Sequence, residues 1–170
     1  MALIILESGD MAGKTTLFNF LRNEIGVKPI ITPRKPGPAL DFQYSANFDE
    51  FLLNRAKDSS RLYMLDRHTP SNYAYGYMRK EPSPILSKYK AQWLDFVHRA
   101  GKGLCTIWLT RQPKPIEDDL ITLTIEQDEM VLSAYAHLAE LSDGKLFNVV
   151  DKVHNYTDIL NYLWLNLQFL

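Results

Sequence analysis

One cysteine in 170 residues leaves no disulfide to be made within the chain and no ligands for the cysteine-rich metal patterns. His68, His98, His137 and His154 are scattered along the sequence, so with Cys105 they compose no structural zinc pattern. Charge of one sign is missing as well. With 19 Lys and Arg against 20 Asp and Glu, the chain has no global basic field to hold a long nucleic acid or an anionic membrane, and any anion site has to be local. No uninterrupted apolar run is long enough to span a bilayer. No charged-then-apolar leader opens the chain, so the expected setting is reducing and cytoplasmic. Repeats and low-complexity tracts are absent. The expected organisation is a single domain over 1–170, long enough to bury a substantial core.

What is present alternates. Short apolar segments at Leu3 to Leu6, Val27 to Thr32, Arg61 to Leu65, Leu104 to Leu109 and Leu146 to Val150 read as strands. Between them lie helical patterns at Thr15 to Ile25, Ala39 to Lys57, Asn72 to Met78, Ile85 to Ala100, Thr124 to Leu141 and Tyr156 to Leu167. Strands alternating with helices predict an α/β fold, a doubly wound five-stranded parallel sheet covered on both faces. The segment from Thr110 to Asp119 reads as an irregular, proline-interrupted connection, and about 110–124 as a short lid.

The first strand runs directly into ESGDMAGKTT, Glu7 to Thr16, and then into an amphipathic helix. That is the context in which a phosphate-binding loop has a physical meaning. Gly9 and Gly13 are expected to bend the backbone so that the N–H groups of Gly9, Asp10, Met11, Ala12, Gly13, Lys14, Thr15 and Thr16 line an anion cradle, with the helix dipole behind it. Lys14 would reach the phosphates and the Thr15 hydroxyl would bind Mg²⁺. Ser8 stands where the loop pattern has its first glycine, which backbone cradling tolerates if Ser8 is not held in a glycine-only conformation.

Asp66-Arg67-His68 ends the third strand. A carboxylate there, opposite a phosphate loop, can hold Mg²⁺ directly or through water, and Arg67 can fork onto phosphate oxygens. These groups suit phosphoryl transfer. A phosphate acceptor is already ionised and needs alignment and charge neutralisation, whereas a hydroxyl acceptor favours a carboxylate base, for which Asp41 and Asp10 are the candidates.

Taken in order, ALIILESGDMAGKTT, RKPG, YSAN, LDRH and SNYAY resemble the signature stretches of thymidylate kinases, from residue 2 to about 75, with a looser echo at Tyr135 and in FNVVD. The resemblance implies a P-loop nucleotide kinase fold, ATP and Mg²⁺, and transfer of the γ-phosphate to a deoxynucleoside monophosphate, dTMP first, to give the diphosphate. It implies that Asp10 accepts a hydrogen bond from the sugar 3′-hydroxyl, that Arg34 and Arg67 hold the acceptor phosphate, and that Asp66 organises the metal. Tyr44 would stack on the base, Asn72 would bond its edge, and Tyr75 would crowd the sugar 2′ position. It further implies a homodimer with no long nucleic-acid partner and no membrane, in the cytoplasm, or the host cytoplasm for a viral source.

The departures from the family pattern are local. Lys35 reverses a charge where the family often has glutamate, and Phe48 replaces a base-reading arginine, so another pyrimidine deoxynucleotide, including a modified one, stays open as acceptor. Arg55 lies two helical turns beyond Phe48 on the same face. Arg111 and Lys114 are the only basic residues between Thr110 and Gly144, and Arg111 is the lid candidate. His68 stands where the family has tyrosine and reads as a positioning or core residue. The alternatives are a deoxynucleoside or nucleic-acid-end kinase, or a nucleotide-binding module without turnover.

Overall fold

Strand β1 (Leu3–Ser8) is buried along its whole length, and its alternate side chains enter two different cores. Successive strand residues point to opposite faces, so a strand with no polar face has to be covered twice. The computed structural model describes residues 3–30, 42–58, 60–117, 121–150 and 153–167, and of 42–45 and 167 only the backbone. Around β1 it arranges β2 (Lys28–Ile30), β3 (Tyr63–Asp66), β4 (Leu104–Thr110) and β7 (Lys145–Asn148) into one parallel sheet of five strands, ordered β2-β3-β1-β4-β7. The five-stranded parallel sheet expected from the sequence is the one found.

Leu3 and Ile5 face a core built from α2 (Phe42–Ala56), α3 (Thr69–Met78), α4 (Ser83–Ala100) and α5 (Ile125–Leu141). Ile4 and Leu6 face the second core, with α1 (Lys14–Ile25) and α6 (Tyr156–Leu167). Cys105 lies buried in this second core as a free thiol, and burial pushes its pKa up to about 12, which makes it an inert packing residue. Among the described residues no helix is long and apolar enough to cross a membrane.

The connection after β4 differs from the irregular segment expected. β5 (Ile116–Glu117) and β6 (Thr122–Leu123) form an antiparallel pair, because Ile116 and Leu123 face each other across it and both bury into the first core. Prolines at 113 and 115 stop the regular ladder of β4 without preventing a new one from starting.

Two glycines after α4 do different work. Gly101 has φ of 51°, a conformation that favours glycine. Gly103 lies where an added Cβ would be 2.5 Å from the Ala56 carbonyl oxygen, so α2 closes directly on its backbone. Gly103→Ala is therefore expected to destabilise the fold by about 1–3 kcal/mol through overpacking, measured as a lower urea midpoint at unchanged m-value. An unchanged midpoint would show that α2 does not close on this backbone.

Candidate active site

Leu6 of β1 pairs with Asp66 of β3, and the Arg67 N–H donates to the Leu6 carbonyl at 3.0 Å. The parallel register thus sets the loop after β1 beside the Asp66-Arg67 turn, at the carboxyl edge where open α/β sheets bind ligands. Three residues here have positive φ: Met11 (55°), Gly13 (70°) and Arg67 (66°). For Met11 and Arg67 this is strain that the surrounding contacts must hold, and such strain gathers at functional sites.

Gly13 takes the expected bend, but Gly9 does not; its φ lies outside the left-handed region. A Cβ on Gly9 would lie 3.0 Å from Leu132 Cδ2 on α5, so that side chain would have to give way by a few tenths of an ångström. Ser8 has no positive φ, so serine is tolerated where the pattern has glycine. Helix α1 begins with neither a side-chain cap nor an acidic residue in its first turn, which leaves its N–H groups free for an anion. Helix α5 is the contrast, since Thr124 and Gln127 close a full capping box over its start.

Strand parity decides what surrounds this opening. Asp66 shares the face of Met64 and so meets α1, where Lys14 Nζ forms an ion pair with it. Burial, with Arg67 beside it, holds the Lys14 pKa below its ordinary value. Glu7 shares the face of Leu3 and Ile5 and points between α3 and α5. Its carboxyl is fully buried; it accepts the His68 N–H at 2.5 Å and the Ser71 hydroxyl at 3.2 Å, and Ser71 Oγ in turn lies 2.7 Å from the Tyr135 hydroxyl. Burial raises the Glu7 pKa from 4.5 to about 8 against the opposing effect of these partners and of Arg67.

Above Glu7, the two Asp10 oxygens are taken by Arg67 Nη2 and by the Tyr75 hydroxyl, while the Tyr75 ring lies 5.5 Å from the Arg67 guanidinium. Tyr75 belongs to the core and to the site at once, and burial drives its pKa above the ordinary value. Thr15 and Thr16 are exposed at the start of α1, and Asn72 is half-buried within α3. Arg34, Lys35 and Asp41 lie outside the described residues, as does the side chain of Tyr44.

Arg111, the lid candidate, is held beneath the loop. Its guanidinium is buried and forks onto Asp128 of α5 at 2.6 and 2.9 Å, and it donates to the Asp10 carbonyl at 2.5 and 3.1 Å. Asp128 also accepts the Lys114 N–H at 3.0 Å. A bidentate buried pair of this kind is fixed, so Arg111 acts as a strut under the loop backbone. Arg55 is likewise committed elsewhere, 4.9 Å over the Phe51 ring and 5.3 Å over Tyr63.

The loop, the carboxylate and the two arginines stand on a fold shared with known proteins. The chain has a thymidylate kinase-like fold. Its structure is similar to that of YorR from Bacillus subtilis, solved in complex with phosphorylated GDP, with a TM-score of 0.63 at 17% identity over 96% of both chains. It is also similar to thymidylate kinase from Ehrlichia chaffeensis, with a TM-score of 0.51 at 15% identity over 98% of both chains. Neither a protein-family model nor a curated protein matches the sequence.

Within this thymidylate kinase-like fold, three residues gain roles that the sequence reading missed. Glu7 carried a signal, being a carboxylate that continues an all-apolar strand. Asp128 and His154 carried none, because their partners lie far away in sequence. His154 is buried with its Nε2 2.8 Å from the Gly13 carbonyl, so Nε2–H donates to the loop and burial lowers its pKa.

The Glu7 proton has a measurable consequence. Between pH 4.5 and about 8 the native state keeps a proton that the unfolded chain has lost, so stability falls as pH rises through that window. Glu7→Gln removes the titration while keeping an acceptor for the His68 N–H. The wild-type Tm is expected to drop more steeply than that of Glu7→Gln between pH 5 and 9, by calorimetry; parallel slopes would show that Glu7 is ionised throughout.

Proposed function

We propose that the protein transfers the γ-phosphate of ATP to a deoxynucleoside monophosphate, with dTMP the first candidate, yielding ADP and the diphosphate. The observation that carries this reading is the uncapped start of α1, with Lys14 in its first turn, facing the Asp66-Arg67 turn across paired strands. In the proposed complex the free N–H groups of residues 9–16 cradle the donor phosphates and Lys14 leaves Asp66 for them, since a phosphate is the stronger anion partner.

That exchange frees Asp66 for Mg²⁺. Asp66 is half-exposed and Thr15 is exposed beside it, both hard oxygen ligands, and among the described residues no cluster of three or more metal-binding side chains exists. One carboxylate and one hydroxyl, completed by substrate phosphates and water, suit Mg²⁺ rather than a closed protein cage. Bound there, Mg²⁺ would supply charge neutralisation between donor phosphates. Arg67, with Arg34, would align the acceptor phosphate, and Arg111 would fix the Asp10 segment from below. The donor base would enter the pocket beside the loop, between Met11, Lys114, Asn148 and Val150.

A phosphate acceptor fits the site better than a hydroxyl. Among the described residues the carboxyls at the loop are all occupied: Asp10 by Arg67 and Tyr75, Glu7 by a buried proton at neutral pH, and Asp66 by Lys14 or, in the proposed complex, by Mg²⁺. None is a free general base. On the acceptor side, Asp10 retains lone pairs for a sugar hydroxyl, Tyr75 would favour deoxyribose, and Tyr44, Phe48 and Asn72 would surround the base.

A nucleotide-binding module without turnover is a second reading, favoured by one observation. Arg111 is locked to Asp128, and the described residues of the β5–β6 hairpin bring no other arginine over the phosphates. ADP formation from Mg·ATP with dTMP, dUMP, 5-substituted dUMP, UMP, thymidine and a 5′-hydroxyl oligonucleotide separates these. The expected outcome is preference for dTMP over UMP and thymidine, with Lys14→Ala lowering kcat by about a hundredfold or more. Preference for thymidine or the oligonucleotide would reject the monophosphate acceptor; ATP binding with no transfer to any acceptor would leave the binding module.

A further inference from the structure

Beneath the turn that follows β3, the His68 ring packs edge-on against Phe96 at 4.9 Å, Phe48 at 5.9 Å and Trp93 at 6.2 Å. Asp49 of α2 is buried beside this ring. Its Oδ1 lies 2.7 Å from His68 Nε2, and its Oδ2 accepts from Gln92 of α4 at 2.8 Å. The side chains are 5% exposed for His68 and 9% for Asp49. His68 Nε2 and Asp49 Oδ1 are near neighbours without a well-directed hydrogen bond between them.

This pair joins three elements that apolar packing alone would leave free to slide, because packing between rings is not directional. A carboxylate buried beside one imidazole is different. If α2 moves away from the turn, Asp49 is stranded in an apolar surround, which is costly. The residue before Asp49 is Phe48, whose ring is held between His68 and Phe51, the latter at 6.0 Å. The residues before His68 are Asp66 and Arg67, and its own N–H is held by Glu7.

We propose that the Asp49–His68 pair is a positioning device for the acceptor nucleotide, fixing the Phe48 face of α2 relative to the Asp66-Arg67 turn. Acceptor affinity depends on it and ATP affinity does not, because the loop from Gly9 to Thr16 is supported separately by Arg111 and His154. Phe48 thereby presents a fixed apolar wall to the acceptor base. The inference rests on the nucleotide kinase reading proposed above.

The test compares Asp49→Ala with Asp49→Asn, which keeps an oxygen toward His68. Asp49→Ala is expected to raise the acceptor KM by about tenfold, with kcat and the ATP KM each changed less than about threefold, and Asp49→Asn to restore most of the acceptor KM. Equal shifts in both KM values, or none, would overturn the proposal. Should Asp49→Ala not fold, the double variant Asp49→Leu/His68→Phe, which replaces the pair by apolar groups, carries the same comparison. If the wild type transfers to no acceptor, the kinase reading has failed, and amide exchange then decides the pair's role: faster exchange over 46–56 than over α3 in the variant supports it, and unchanged exchange overturns it.

Discussion

The pairing of β1 with β3 is the constraint on which the site depends. Both strands are parallel, so both carboxyl ends leave the sheet at the same edge, and the Arg67 N–H closing on Leu6 brings the two loops into contact. Once that register is set, the period-two alternation of strand side chains does the rest. Asp66 falls on the α1 side with Lys14, Glu7 falls on the α3 and α5 side, and the opening lies between. A slip of one residue would exchange these faces, burying Asp66 against apolar side chains and turning Glu7 toward α1.

Buried and half-buried polar pairs keep the opening rigid. Arg111 and Asp128, Arg67 and Asp10, and Asp49 and His68 each tie a loop or helix to its neighbour, and each would leave a stranded polar group if the tie parted. These ties offset the positive φ at Met11 and Arg67, which would otherwise relax. The loop is therefore shaped before any ligand arrives. Preorganisation of this kind favours electrostatic catalysis wherever it occurs, because donors need not reorient as charge develops.

Much of this was legible in the residues. The strand-helix alternation, the glycine loop after the first strand and the carboxylate at the end of the third strand are local patterns, and each lies within a few residues of its sequence expectation. The hairpin at Ile116 and Leu123 was not legible, because two-residue strands carry no periodicity and only shared burial defines them. Gly9 was assigned to bending, but its φ is not left-handed and what it faces is a neighbour 123 residues away, Leu132. Arg111 was placed in a lid because nothing local announces that Asp128 will receive it.

The sequence by itself determined the strands of the main sheet and the helices between them, and which residues are candidates for phosphate and metal, because those properties depend on side-chain period, glycine placement and charge within a short window. Only the tertiary structure decided which charges are buried and with whom. Glu7 holds a proton, Arg111 is a strut and His68 meets Asp49 because strand register and helix packing bring distant groups into one low-dielectric space. Ionisation and pairing are set by that space, and no short stretch of sequence contains it.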